Sequence, residues 1–202
     1  MKYYMIDNND SFVYNLAAYF EKLGQEIIVE NVDSADIAKI NDKKYSGLII
    51  SPGPGTPKQA IFSQKLIEVY TGKIPILGVC LGHQVIGHCF GADVCKGNRP
   101  MHGKISIIQN RGQRLFLNLP NSFNVTRYHS LIIDSKTLTP EFIIDAETED
   151  GVIMAISHRK YPIYGLQFHP EALLTEYGYE IIENFIDICK AWEDRNDKHQ
   201  EN

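Results

Sequence analysis

A chain of 202 residues with 44% hydrophobic content is long and apolar enough to bury one full core, so a single domain is expected. Its formal charge of −5, with no long basic cluster, argues against nucleic acid or an anionic membrane as the main partner and leaves small molecules and other proteins. The opening MKYYMIDNND reaches Asp7 and Asn8 before an apolar signal core can form, and no stretch is long enough to span a bilayer, so a cytoplasmic protein is expected.

Residues 2–6 read as a short strand. Asp10 then offers an N-cap to a helix whose Phe12, Leu16, Phe20 and Leu23 recur near the helical period, closed by Gly24. A strand over residues 26–31 follows, then a buried one over 47–50 that runs into the loop SPGPGTP and a helix from about residue 59 to 70. Residues 74–79 form another buried strand, and residues 83–90 a short helix ended by Gly91. Strands alternating with helices require right-handed crossovers, hence an α/β fold with a mostly parallel twisted sheet, helices on both faces, and ligands at the carboxyl ends of the strands.

From residue 92 to 167 the pattern turns to short strands, at Val94 and over 105–108, 123–127, 131–134, 143–148, 152–157 and 163–167. Several of these are expected to be antiparallel and partly outside the main sheet. Residues 177–189 read as an amphipathic helix, and residues 193–202 as a polar tail that frays. Without a repeat or linker composition, the expected division is one domain over residues 1–192 and the tail over 193–202.

The chain has four cysteines, Cys80, Cys89, Cys95 and Cys189, without C-x-x-C spacing, so free thiols are expected. Three of them read as core packing. Cys80 does not, because it stands between Gly78 and Gly82 on the turn from strand to helix. This is the thiol version of the G-x-S-x-G elbow, in which glycines allow a cramped backbone and the reactive atom projects from the end of the sheet. A free cysteine, with a pKa of about 8.5, is only a few per cent thiolate at neutral pH. The positive end of the following helix and a histidine in reach would both favour ionisation.

Of the seven histidines, His169 has the most useful neighbour. Pro170 favours extended backbone at residue 169, so side chains 169 and 171 project to the same side and Glu171 can orient the imidazole. Donors for an oxyanion are expected from the Leu81 N–H and from Ser51-Pro-Gly-Pro-Gly, where Gly53 and Gly55 permit close backbone approach and prolines stiffen the loop. Gln84, one helical turn after Cys80, shares its face. His83 and His88 with Cys80 and Cys89 fit no zinc spacing, so no metal is expected, and His102 and His129 read as polar residues packed near the site.

Six blocks appear in order: DNNDSFVYNL, SPGPGTP, GVCLGHQ, MHGK, RYHSL and GLQFHPE. On these the chain resembles the class I, triad-type glutamine amidotransferases, and among them the glutaminase subunits of anthranilate synthase and aminodeoxychorismate synthase. The resemblance implies a single-domain, flavodoxin-like α/β fold with a small antiparallel sheet beside the main one. It implies hydrolysis of L-glutamine through a thioester on Cys80, with His169 as base and then acid and Glu171 as third member. The ammonia would pass to a chorismate-binding synthase subunit (component I), making anthranilate, 4-amino-4-deoxychorismate or both, with no cofactor. The same resemblance places Gly53 and Leu81 in the oxyanion hole, and Gly53, Pro54, Gly55, Gln84 and the backbone of Ser130 and Leu131 around the substrate.

Two positions depart from the family pattern: Ala172 follows the HPE motif where a small hydroxyl residue is usual, and Asn9 stands where an aromatic is common. Two other functions share this fold or nucleophile, a non-catalytic binding module and a stand-alone γ-glutamyl hydrolase. Retention of Cys80, His169 and Glu171 together favours the enzyme subunit.

Overall fold

The structure, a computed structural model, describes residues 1–41 and 45–200. In chain order these form β1 (Lys2–Asp7), α1 (Val13–Lys22), β2 (Glu26–Asn31), α2 (Ile37–Asn41), β3 (Gly47–Ile50), α3 (Ile61–Tyr70), β4 (Ile76–Val79) and α4 (Leu81–Cys89). Then come β5 (Val94–Lys96), β6 (Lys104–Asn110), β7 (Ser122–Arg127), β8 (Leu131–Ile133), β9 (Phe142–Thr148), β10 (Ile153–His158), β11 (Ile163–Leu166) and α5 (Gly178–Gln200). Among the described residues no helix is long and apolar enough to cross a membrane.

The main sheet runs β2-β1-β3-β4-β11-β10-β9-β6-β7, and β5 pairs with β8 in a separate two-stranded antiparallel sheet. Strands β2, β1, β3, β4 and β11 are mutually parallel. The expected parallel sheet with a small antiparallel companion is therefore present, but β10, β9, β6 and β7 extend the main sheet with antiparallel pairings. Short connections explain this. The turns between β9, β10 and β11 are too short for crossover helices, so each strand must fold back on its predecessor.

In β1, alternation sends Tyr3 and Met5 into one core layer and Tyr4 and Ile6 into the other. The first layer collects Leu16 and Phe20 of α1 and Ile182 and Phe185 of α5; the second collects Leu66 of α3 and Val85 and Ile86 of α4. Each such buried side chain contributes roughly 1.5–3 kcal/mol, and together they clamp the parallel strands between helices.

Several boundaries differ from expectation. Helix α1 starts at Val13, because the Asp10 carboxylate accepts the N–H of Phe12 at 2.7 Å and so caps the turn ahead of the helix. Gly24 closes it in a left-handed conformation, φ 76°. A 3-10 turn over Pro57–Gln59, capped by Thr56, precedes α3, and α4 begins directly after Cys80. The short helix α2 carries too few residues to show a period.

At the C-terminus the helix does not stop at Cys189 but continues through Gln200, so residues 193–200 are helical and only 201–202 lie outside the described residues. That segment has no glycine or proline to stop a helix, and Trp192 ties it down by donating Nε1–H to the Lys73 carbonyl at 3.2 Å. Cys189 is buried as expected, whereas Cys89 and Cys95 are exposed, lying at the end of α4 and on the small sheet.

Candidate active site

Three adjacent parallel strands end at one edge, and each delivers a part of the site. Strand β3 opens into Ser51-Pro-Gly-Pro-Gly, β4 into Cys80, and β11 into Gln167-Phe168-His169-Pro170-Glu171. This is the carboxyl-end placement that parallel α/β topology imposes on ligand sites.

The turn at Cys80 is cramped. Cys80 has φ 52° and ψ −100°, a conformation costing a non-glycine residue on the order of 1–3 kcal/mol. Its N–H donates to the Leu166 carbonyl at 2.7 Å, tying the elbow to β11. The flanking glycines are required by space: a Cβ on Gly78 would lie 2.5 Å from the Gly82 backbone, and one on Gly82 would strike the Ile50 carbonyl of β3. Helix α4 thus starts against the sheet, with its N-terminus at the sulfur.

His169 is buried, and its Nδ1 is 2.6 Å from Glu171 Oε1. A carboxylate accepts, so Nδ1 carries the proton and donates it. Burial opposes the imidazolium, but the neighbouring Cys80 and Glu171 favour it and outweigh burial, and the net direction is a pKa above the ordinary histidine range. Nε2 closes no hydrogen bond among the described residues, and the Cys80 sulfur lies 4.0 Å from the Tyr128 carbonyl. The structure brings Cys80, His169 and Glu171 together.

The remaining expected residues gather around them. Gly53 packs against Leu81, an added Cβ lying 2.8 Å from Leu81 Cδ2, and neither N–H is taken up by an acceptor among the described residues. Gln84 Nε2 donates to the Leu131 carbonyl at 3.0 Å and to Gln167 Oε1 at 3.1 Å. The Ser130 carbonyl accepts the Gly97 N–H, while the side chain of Ser130 is exposed. Pro54 and Gly55 line a cavity of about 540 Å³ with Asn8 and Leu81; Cys80 and His169 lie outside it.

Sequence reasoning missed four contributors. Asn8 fixes the glycine-rich loop: its N–H donates to Ser51 Oγ at 2.9 Å and its side-chain amide to the Ser51 carbonyl at 3.2 Å, while Ser63 donates to its Oδ1 at 2.8 Å. Phe12, read as a helix core residue, precedes the helix and stands edge-on to His169 at 5.8 Å. Tyr128 faces the same ring at 5.2 Å, so two aromatic side chains wall the imidazole. Gln167 steadies Gln84. DNNDS and RYHSL marked these segments without assigning their contacts. His83, fully buried on α4 with neither ring nitrogen paired, is pushed by desolvation down to about 3 and stays neutral.

Comparison with known proteins bears on this arrangement. The family model described as "Glutamine amidotransferase class-I" matches residues 4–189. The chain is 49% identical over 186 residues to the aminodeoxychorismate/anthranilate synthase component 2 of Bacillus subtilis, covering 92% of this chain and 96% of that protein. It is 49% identical over 183 residues to the anthranilate synthase component 2 of Cyanophora paradoxa, covering 90% and 96%. Among solved structures, a putative GMP synthase subunit from Thermoplasma acidophilum superposes with a TM-score of 0.87 at 28% identity, over 98% of each chain.

Proposed function

The chain belongs to the class-I glutamine amidotransferase family, and on that premise we propose that it is the glutaminase subunit of a chorismate-using synthase. Residues 1–192 serve as the amidotransferase domain, working in the cytoplasm. The observation that carries this is the contact at 2.6 Å between Glu171 and His169 Nδ1, which leaves Nε2 open beside a cysteine held at φ 52°.

Cys80 is the nucleophile. Its thiol proton passes to His169 Nε2 as the sulfur attacks the side-chain amide carbon of L-glutamine. The oxyanion rests on the N–H groups of Leu81 and Gly53. His169, now an imidazolium steadied by Glu171, returns the proton to the departing nitrogen, which leaves as ammonia from a γ-glutamyl thioester. Water then attacks the thioester, His169 takes its proton and hands it to sulfur, and glutamate leaves. One water is consumed per glutamine.

Gln84, Ser130, Leu131, Pro54 and Gly55 hold the substrate. The ammonia goes to a separate chorismate-binding synthase subunit. In support, the relatives are components 2 of such synthases, and the chain matches nearly their whole length. The product is anthranilate or 4-amino-4-deoxychorismate according to the synthase bound.

The test is Cys80→Ala in the assembled complex. Glutamine-driven amination of chorismate should vanish while ammonium salts still drive it. Glutamine-dependent turnover retained by this variant rules out the assignment. Full glutamine hydrolysis by the isolated chain would instead favour a stand-alone γ-glutamyl hydrolase.

A further inference from the structure

Arg127 is buried at 3% exposure, and among the described residues no carboxylate comes within ion-pair distance of it. A buried cation without such a partner is costly, so its position calls for another reason. Its Nη1 donates to Ser106 Oγ at 3.1 Å and its Nε to His129 Nε2 at 3.0 Å. The guanidinium has only donors, so His129 Nε2 must accept and the ring proton must sit on Nδ1. That proton donates to the Leu131 carbonyl, 3.0 Å away. Burial and the Arg127 charge hold His129 down to about 4, so this neutral tautomer persists at working pH.

The same Leu131 carbonyl takes the second donor described above, Gln84 Nε2 at 3.0 Å, whose other proton goes to Gln167 Oε1 at 3.1 Å. Both amide protons of Gln84 are thereby spent. Only Oε1, which makes no hydrogen bond among the described residues, remains to meet a ligand, and it can only accept.

We infer that Arg127 and His129 are positioning residues that, through the Leu131 carbonyl, lock the Gln84 amide with its oxygen toward the substrate, so that Gln84 selects an N–H donor group of glutamine. The relay also pins residues 128–131, whose Tyr128 carbonyl lies 4.0 Å from the Cys80 sulfur. This rests on the glutaminase reading above. Neither Arg127 nor His129 touches the reacting atoms, so the relay acts on binding more than on chemistry.

The experiment compares His129→Asn with His129→Gln in the synthase complex, following glutamate release against glutamine concentration. Asn reproduces the Nδ1 donor to Leu131; Gln reproduces the Nε2 acceptor and loses that donor. His129→Gln should raise the KM for glutamine about tenfold with kcat changed less than about threefold, as for one lost hydrogen bond, and His129→Asn should stay within about threefold of the parent KM. Arg127→Met, which frees the ring to turn, should resemble His129→Gln. Equal KM values for Asn and Gln, or a loss confined to kcat, would overturn the inference. The parent complex and Cys80→Ala are run alongside: an inactive parent or an active Cys80→Ala faults the glutaminase reading itself, whereas a normal pair with no KM split faults only the relay.

Discussion

The central parallel strands and the outer antiparallel strand β6 of the nine-stranded sheet bury their side chains differently. In the parallel half, β3, β4 and β11 are buried at every position, because helices cover both faces. In the antiparallel half, β6 alternates, with Ile108 and Asn110 inside and Ile105, Ile107 and Gln109 exposed. Parallel strands send all their outgoing loops to one edge, which is where the 51–57 loop, Cys80 and His169 meet. Hairpin strands split their loops between two edges, and this half supplies only the 128–131 segment. Chemistry concentrates where topology makes several loops converge on one edge, and the antiparallel half supports and orients it.

That contrast predicts a gradient of effects. The largest is at His169: His169→Ala should lower glutamine turnover by roughly 10²–10⁴-fold, measured as glutamate release by the folded complex. A loss below about tenfold would remove His169 from its role as base. Gly53→Ala comes next. The new Cβ would lie 2.6 Å from Asn8 Cβ and 2.8 Å from Leu81, displacing the loop amide, so kcat should drop on the order of 10²-fold. Activity close to the parent would show that the Gly53 N–H is not an oxyanion donor.

Acid pH probes the buried histidines His83 and His129. The folded pKa values of His83 and His129, about 3 and about 4, lie below the ordinary value of about 6.5. Below pH ~6.5 the unfolded chain therefore binds more protons than the native one. Their contribution to stability is full above that pH and is lost as pH falls toward 4, by up to about 1.4 kcal/mol per unit for each. His169 has the opposite sign. Its raised folded pKa gives a contribution that is full below pH ~6.5 and lost as pH rises above it. Thermal denaturation should thus show a lower melting temperature at pH 5 than at pH 7, with the deficit narrowed by His83→Gln. Identical melting temperatures at both pH values would contradict these environments.

The smallest effect belongs to the open face of β6. Ile107→Thr on this exposed strand position should alter stability by less than about 0.5 kcal/mol and leave glutamine turnover unchanged. A large loss there would mean that the antiparallel half takes a more direct part than its exposure indicates.

The legible parts of the site were the locally encoded ones. Gly78, Cys80 and Gly82 announce the elbow because they are neighbours in the chain, and His169 with Glu171 announces the orienting pair because extended backbone puts alternate residues on one side. The helix start at Asp10 was displaced because its carboxylate serves the turn before the helix, and the end of α5 was missed because the sequence EDRNDKHQ carries no apolar period. Phe12 beside His169 and Asn8 beneath Ser51 could not be read at all, since each contact joins segments more than forty residues apart.

The sequence by itself determined the alternating strands and helices, the cysteine elbow with its His–Glu partner and the family. These depend on neighbours a few residues apart, whose spacing sets which side chains share a face. Only the tertiary structure decided that the later strands extend the main sheet, that Phe12 and Tyr128 wall the imidazole, and that Arg127 reaches Gln84 through His129 and a backbone carbonyl. Those arrangements arise from strand pairing and the need to satisfy buried donors and acceptors, and neither is set until distant segments are packed together.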